Sequence, residues 1–328
     1  MEKVVSSNIK VINWDKTFGD SRMEFNIKGN NINNYVVNSI RRSILNDIPI
    51  YAFDNIKINK NTSVFNNNYL RLRINNLPIF GIMNNMDFFE EEVVNKEEGF
   101  NEQTGIINND DVNLSIDKKI NSSSLNQLTL YLEYKNDTND IVTVTTNDAK
   151  FYYKEKLIKS PYPHNIPLIK LSPGKEIILS AVSKLGIEEK SSIYSSVSIC
   201  CYRKKNNNDY DFILESRGQI DEKRIIQVAL LNLKKQLDNF LKLVPEDKSM
   251  EGKLVIPNID HTLGTIIANG MRKHSAVSFA GYNMPHPLDK TVEIHYKLTG
   301  GSLKKVIKDV VGYYNEVYNG IEQKINKF

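Results

Sequence analysis

Residues 291–321, TVEIHYKLTGGSLKKVIKDVVGYYNEVYNGI, contain the plan of the chain in one stretch. Val292, Ile294, Tyr296 and Leu298 alternate with polar residues, the period of a half-buried strand. After the break at Gly300-Gly301, Ser302 is placed as a helix cap. Leu303, Val306, Ile307, Val310, Tyr314, Val317 and Ile321 then recur at helical spacing. Gly300-Gly301-Ser302 is compatible with an anion at the helix N-terminus, although a loop and cap is the ordinary reading. A one-faced strand next to a one-faced helix implies two layers sharing a core, an α+β arrangement.

Working outward, KLVIP (253–257) reads as a strand. Asp260 or Thr262 starts a helix with Leu263, Ile266, Ile267 and Met271 as its apolar positions, and VSFAGY (277–282) is a further strand. The same skeleton recurs earlier. RMEFNIK (22–28) alternates. A helix follows with Ile32, Val36, Ile40 and Ile44 four apart, joined by Val37 and Leu45 and closed by Pro49. At about 100° per residue its stripe centres near Ile40, which leaves Arg41 at the flank and turns Arg42 nearly opposite. Residues 50–80 read as short strands and turns with a bend at Asn66–Asn68. IPLIKL (166–171), the turn at Pro173-Gly174, EIILSAVSKLGI (176–187), SIYSSVSICCY (192–202) and DFILES (211–216) continue the strands. Gly174-Lys175 lacks the flanking residues of a phosphate loop. Asp221 then caps a long helix with Ile225, Val228, Ala229, Leu233, Leu237, Phe240 and Leu241 in register.

Two segments interrupt this plan. From Met83 to Asp111 there are nine acids (Asp87, Glu90, Glu91, Glu92, Glu97, Glu98, Glu102, Asp110, Asp111) and one base, Lys96. Without a fixed ligand spacing these read as a solvated loop, not a calcium site. QLTLYLEY (127–134), IVTVTT (141–146) and FYYKEKL (151–157) read as an inserted β-rich subdomain. The expected division is a discontinuous first domain (1–82 and 164–244), an insert (83–163), a linker (245–252) and a last domain (253–328). The long helices, 222–243 and 303–324, are each apolar enough to need a partner, and pairing them would make an internal pseudo-dimer.

Composition bounds the function. With 43 basic and 39 acidic residues the net charge is +4, too small for a strongly basic nucleic-acid tail or an acidic disordered chain. No apolar run reaches the roughly 18–20 residues of a membrane span, and the first residues lack the apolar core of a signal peptide. The 41 asparagines crowd the stretch before Lys150, which suits drift at surface positions in an AT-rich genome. Cys200 and Cys201 are neighbours that a strand would point to opposite faces, awkward for one metal; their scarcity suits a reducing compartment. The five histidines form no tight ligand motif. Asp260 and His261 converging with His286 and His295 would be the one metal-dependent hydrolase arrangement; Asp260 also reads as a cap and His295 as a strand residue. A stand-alone RNA-binding module is the other rival, with Phe151-Tyr152-Tyr153 as its clustered aromatics.

Several stretches resemble a known family. Asn38-Ser-Ile-Arg-Arg-Ser-Ile-Leu-Asn-Asp-Ile-Pro49 is similar to the N-A-L-R-R-x-L-L-x-x-I-P segment of alpha-type subunits of multisubunit RNA polymerases: the bacterial alpha subunit, the archaeal D subunit and the third-largest subunit of RNA polymerase II. Asn61-Thr-Ser-Val-Phe65 with Tyr69–Ile79 resembles the family's N-T-S-V-L and the segment after it. Ile169–Ile177 resembles its K-L-x-P-G-Q-E-I turn. Leu185-Gly-Ile187, Tyr194-Ser-Ser-Val197 and Glu215-Ser-Arg-Gly-Gln219 resemble later segments. Asp260–Ile266, DHTLGTI, and Phe279–Leu288, FAGYNMPHPL, resemble the small partner, of the archaeal L or eukaryotic eleventh-subunit type. The decapeptide matches F-A-G-Y-x-x-P-H-P-L at every defined position. Together these span roughly residues 20–320, so the chain resembles both partners fused, as occurs among large nucleocytoplasmic DNA viruses.

The resemblance implies two alpha-type dimerisation domains forming an internal pseudo-dimer rather than a homodimer. It implies a non-catalytic platform that docks the two largest subunits, and small subunits too, for transcription. It brings no membrane association and only indirect contact with DNA. It implies no cofactor in this chain, the active-site magnesium being held by the largest subunit. No cysteine lies in Met83–Pro163, so the zinc or iron–sulfur cluster of some relatives is not expected, and Leu72-Arg73 stands where the family has His-Arg. Asn38, Arg41 and Arg42 are candidate contacts to the second-largest subunit, a rigid fork of donors suiting carboxylates and carbonyls. Phe279, Gly281, Tyr282, Pro285, His286 and Pro287 either shape a second assembly surface or fix the core of the pair. The compartment implied is the virion and host cytoplasm if the chain is viral, and the nucleus otherwise.

Overall fold

A computed structural model of the chain describes residues 8–16, 21–79, 127–153, 156–246, 249–286 and 291–327. The acidic stretch 83–111 and Pro287 lie outside these residues. Contacts divide the chain into two units, residues 1–48 with 196–328, and residues 49–195.

In the first unit, β1 (Asn8–Asp15), β2 (Arg22–Lys28), β10 (Val197–Asn206) and β11 (Asp209–Ser216) form an antiparallel sheet in the order β1-β2-β11-β10. Met23, Phe25 and Ile27 are buried on one face of β2, and Phe25 stacks on Phe212 of β11, as the alternation demands. β1 has no counterpart in the sequence reading. Its end is held by Trp14, whose Nε1 donates to the buried Glu222 carboxylate at 3.0 Å, while the Ser21 hydroxyl donates to the same group.

Among its described residues the unit has four helices. α1 (Asn34–Asn46) starts at Asn33, whose side chain accepts from the Tyr35 and Val36 amides. α3 (Glu222–Leu243) is capped by Asp221, α4 (His261–Arg272) by Asp260 and α5 (Leu303–Ile325) by Ser302. A second sheet, β12 (Glu251–Pro257), β13 (Val277–Asn283) and β14 (Thr291–Leu298), has the order β12-β14-β13. Val292, Ile294, Tyr296 and Leu298 are buried along β14, and α4 packs on β13 and β14.

α3 and α5 lie against each other and run antiparallel. Gln227 Nε2 donates to Asn326 Oδ1 at 2.6 Å, Lys234 Nζ to Asn319 Oδ1 at 3.0 Å, and Asn315 Nδ2 to Asp238 Oδ1 at 2.9 Å. Lys234 also pairs with Glu322 at 2.6 Å, both less than a third exposed. Between these rims Leu233, Leu237, Phe240, Val310, Val317 and Ile321 are buried. Each such side chain contributes roughly 1.5–3 kcal/mol over exposure, so the apolar seam outweighs its polar edge.

In the second unit, β3 (Ile50–Asn61), β4 (Leu128–Lys135), β6 (Lys150–Tyr153), β7 (Lys156–Ile158) and β9 (Glu176–Gly186) form a sheet in the order β3-β9-β4-β6-β7, and β5 (Val142–Thr145) pairs with β8 (Pro167–Leu171). The contact division therefore falls at 48/49 and 195/196, not at 82/83 and 163/164. β9 pairs with β3 on one edge and with β4 on the other, which joins both sides of the expected boundary in one ladder. Residues 253–328 share a unit with the first sheet.

One element differs in kind from its expectation. Residues 67–75 form a helix, α2 (Asn67–Asn75), with Asn66 accepting from the Tyr69 amide as its cap. The run Leu70-Arg71-Leu72-Arg73-Ile74 alternates like a strand, but only Leu70 and Ile74, four apart, are buried, and Leu72 is 61% exposed. No helix among the described residues is long and apolar enough to cross a membrane.

α4 and α5 approach closely at Gly270. A Cβ there would stand 2.4 Å from Val310 Cγ1 and 2.9 Å from Tyr314 Cε2. Gly270→Ala, which in an open helix would stabilise, is expected to lower stability by about 1–3 kcal/mol through overpacking, read from the urea midpoint. A rise in the midpoint would show that the crossing is looser than described.

Candidate functional site

The two halves of the first unit meet along α1. From the first half come Asn31, Ser39 and Arg42; from the second come Tyr313 and Tyr318 of α5 and the cap of α4. Asn31 Nδ2 donates to the Tyr313 hydroxyl at 2.9 Å. Ser39 Oγ donates to its own helix at Val36 O, 2.7 Å away, and lies 2.8 Å from the Tyr318 hydroxyl. With the Ser39 proton so used, the Tyr318 phenol is the donor between them. Both side chains are fully buried, and burial pushes the Tyr318 phenol far above its ordinary range, so it keeps that proton.

Arg42 reaches the N-terminus of α4. Its Nε donates to Thr262 Oγ1 at 2.7 Å and its Nη2 to Asp260 Oδ2 at 3.1 Å. Asp260 Oδ1 meanwhile accepts from the Thr262 and Leu263 amides at 2.9 and 3.2 Å, the ordinary work of a cap. The sequence reading turns Arg42 away from the apolar stripe as a free outward donor; instead it closes on the second half of its own chain. The cause is the adjoining helix, whose capping carboxylate supplies the fork's acceptor. Arg41, one residue back, has Nε 3.0 Å from Asn38 Oδ1 and is half-exposed. Tyr35, Asn38 and Arg41 thus lie along the solvent side of α1.

The motif at 279–286 divides in two. Tyr282 faces α4: its hydroxyl accepts from Thr265 Oγ1 at 2.8 Å, and its ring sits edge-on to His261. Gly264 makes that approach possible, since a Cβ there would be 2.9 Å from Tyr282 Cδ2. Phe279 and Gly281 point the other way. Phe279 is 57% exposed and its ring shields Gly281, which a Cβ would bring to 3.5 Å from it. Pro285 and His286 are exposed. Glycine 264, the asparagine at 31 and the serine at 39 carried no functional weight in the sequence; the helical face shared by Ser39 and Arg42 was the available signal.

The hydrolase set does not come together. Both Asp260 oxygens are engaged as above, His295 lies 3.7 Å from Glu293, and His261 lies against Tyr282. Among the described residues no three His, Cys, Asp or Glu side chains gather as metal ligands. Nor do Phe151, Tyr152 and Tyr153 make one stacking platform, because Phe151 is buried edge-on to Tyr162. Cys200 is buried and Cys201 exposed, on opposite faces of β10. Burial pushes the Cys200 thiol far up.

Two outcomes follow from this geometry. Arg42→Ala and Asp260→Asn, the latter keeping the cap, are expected to show a coupling of about 0.5–1 kcal/mol in a double-mutant cycle, shrinking with salt, since both partners are about a third or more exposed. Additive effects would mean the pair is not formed. A thiol reagent on the native chain is expected to label one cysteine, Cys201, and Cys200 only after unfolding; two labels on the folded chain would contradict its burial.

Residues 251–324 match the family model of the RNA polymerase Rpb3/Rpb11 dimerisation domain. A protein of Acanthamoeba polyphaga mimivirus, named as a DNA-directed RNA polymerase subunit, is 28% identical over 334 residues, covering 94% of this chain and 91% of that protein. The RNA polymerase subunit Rpo3 of Pyrobaculum aerophilum is 25% identical over 167 residues, 51% of this chain and 53% of its own length. Subunit Rpo11 of Saccharolobus shibatae is 49% identical over 51 residues, 16% of this chain and 54% of its own length. Against the two archaeal relatives the chain spans about half of their length.

Proposed function

We propose that this chain, which belongs with the alpha-type subunits of multisubunit DNA-directed RNA polymerases, is an assembly platform holding both partners of the alpha-type pair in one polypeptide. The observation that carries this is the packing of α5, from the Rpb3/Rpb11-type domain, against α3 and α1 of the half likened to the third-largest subunit. Two of the α3–α5 hydrogen bonds are reciprocal. The residue thirteen positions beyond the cap of one helix meets the residue seventeen beyond the cap of the other, Lys234 with Asn319 and Asn315 with Asp238. A two-fold relation between halves produces that exchange. It supports an internal pseudo-dimer.

Fusion changes the association. A second half on a short tether meets the first at a local concentration of the order of millimolar, so pairing survives dilution that would part separate subunits. The isolated chain is expected to be a monomer in sedimentation.

The chemistry of transcription belongs, on this reading, to the largest subunits, including their magnesium; this chain supplies no catalytic group and touches DNA indirectly. The solvent side of α1, with Asn38 holding the Arg41 guanidinium, is the docking face for the second-largest subunit. Phe279 and Gly281, with the exposed Pro285 and His286 that follow them, mark a second surface for the largest and small subunits, while Tyr282 holds that strand to α4. The mimivirus relative supports a viral origin, and with it work in the virion and host cytoplasm.

Tagged native chain is expected to recover two much larger subunits. Arg41→Glu should reduce that recovery roughly tenfold or more, as loss of an arginine anchor does, without altering the chain's own thermal unfolding. Active polymerase that lacks this chain would refute the platform; unchanged recovery by Arg41→Glu would refute the docking face alone.

A further inference from the structure

The α3–α5 contact is reciprocal in position, but the helices beside it carry different chemistry at equal offsets from their caps. Ser39 lies six residues beyond the cap of α1, and Ile266 six beyond the cap of α4. Tyr318 lies sixteen beyond the cap of α5, and Leu237 sixteen beyond that of α3. All four are buried. Arg42 lies nine beyond the cap of α1, where α4 has Asn269, whose Oδ1 has no hydrogen-bond partner. The cap that Arg42 reaches is Asp260, and the cap at the corresponding place on α1 is Asn33.

We infer that Ser39, Arg42, Asp260 and Tyr318 select pairing of the first half with the second and reject pairing of like halves. This rests on the pseudo-dimer proposed above. If two first halves paired, each buried Ser39 would meet Leu237 and each Arg42 would meet Asn33 in place of a carboxylate. If two second halves paired, each Tyr318 phenol would meet Ile266 and each Asp260 would meet Asn269. A buried hydroxyl without a partner disfavours an arrangement by roughly tenfold, and two-fold symmetry counts it twice. The rim contact at offsets thirteen and seventeen does not discriminate, because Lys234 would meet Asp238 equally well in a pair of first halves. The Lys234–Glu322 pair adds to the selection, since a pair of first halves puts Leu241 in the place of Glu322. Selection otherwise sits on α1 and its partners. It matters in a fused chain, because like pairing joins separate chains and displaces the platform.

The test uses the full chain with Lys234→Cys and Cys201→Ser. Lys234 lies thirteen beyond the cap on the rim that meets α5, where a pair of first halves would bring it against position seventeen of the other copy, so two copies come within one helical turn of each other only when two first halves pair. The chain is refolded over a range of concentrations and treated with a short bis-maleimide. The unaltered pattern is expected to give no covalent dimer. Ser39→Ile with Arg42→Asn and Tyr318→Leu gives α1 and α5 the residues that α4 and α3 carry at the same offsets. It should raise the dimer at least tenfold, increasing with concentration. Ser39→Ala with Tyr318→Phe removes only the hydroxyls and should act in the same sense with a smaller yield. Dimer yields no higher than the reference in both variants would overturn the selection. A parallel chain with Lys234→Cys and Asn319→Cys should bridge within one molecule; failure there would instead overturn the pairing of the halves.

Discussion

The packing of α3 against α5 is the contact on which the rest of the first unit depends. Each helix carries a continuous apolar stripe that its own sheet does not cover. Leu233, Leu237 and Phe240 on one side, and Val317 and Ile321 on the other, leave water only by meeting each other. With that seam closed, α5 stands where α1 passes, so Ser39 finds Tyr318 and Asn31 finds Tyr313. α4, crossing α5 at Gly270, is held where its cap receives Arg42. Apolar area supplies most of the stability, and the few polar pairs fix which surfaces meet.

That division of labour explains how one chain serves as a platform. The residues spent on joining the halves face inward: Ser39, Arg42, Tyr318 and, through α4, Tyr282. Those left on the solvent side, Tyr35, Asn38 and Arg41 on α1 and Phe279 over Gly281 on β13, are the ones offered to partners under the proposed function. Two neighbouring arginines thus meet different partners, Arg41 the Asn38 side chain and Arg42 the carboxylate that caps the next helix, one step of about 100° apart.

Much of this was legible in the sequence, for physical reasons. Alternation at Met23, Phe25 and Ile27, and at Val292, Ile294, Tyr296 and Leu298, gave the strands. Helical spacing with Asp221, Asp260 and Ser302 gave the caps. Periodicity failed at Leu70–Ile74, where an arginine at every second position imitates a strand and only the Asn66 cap marks a helix. It also missed β1, whose place depends on Trp14 and the distant Glu222, a contact no local pattern encodes. The direction of Arg42 could not be read from its own helix, because the acceptor lies more than two hundred residues away. The same holds for the unit boundary, which strand pairing across the insert decides.

The most direct measurement of the central claim is a spin-label distance between α3 and α5 in the full chain. Labels would replace the exposed Arg224 and Gln323, with Cys201→Ser, and the distance would be recorded with and without a large excess of unlabelled chain. The account predicts one short, narrow distance that unlabelled chain does not weaken, since both helices belong to one molecule. A short distance that disappears on dilution with unlabelled chain, or a broad long one throughout, would contradict it.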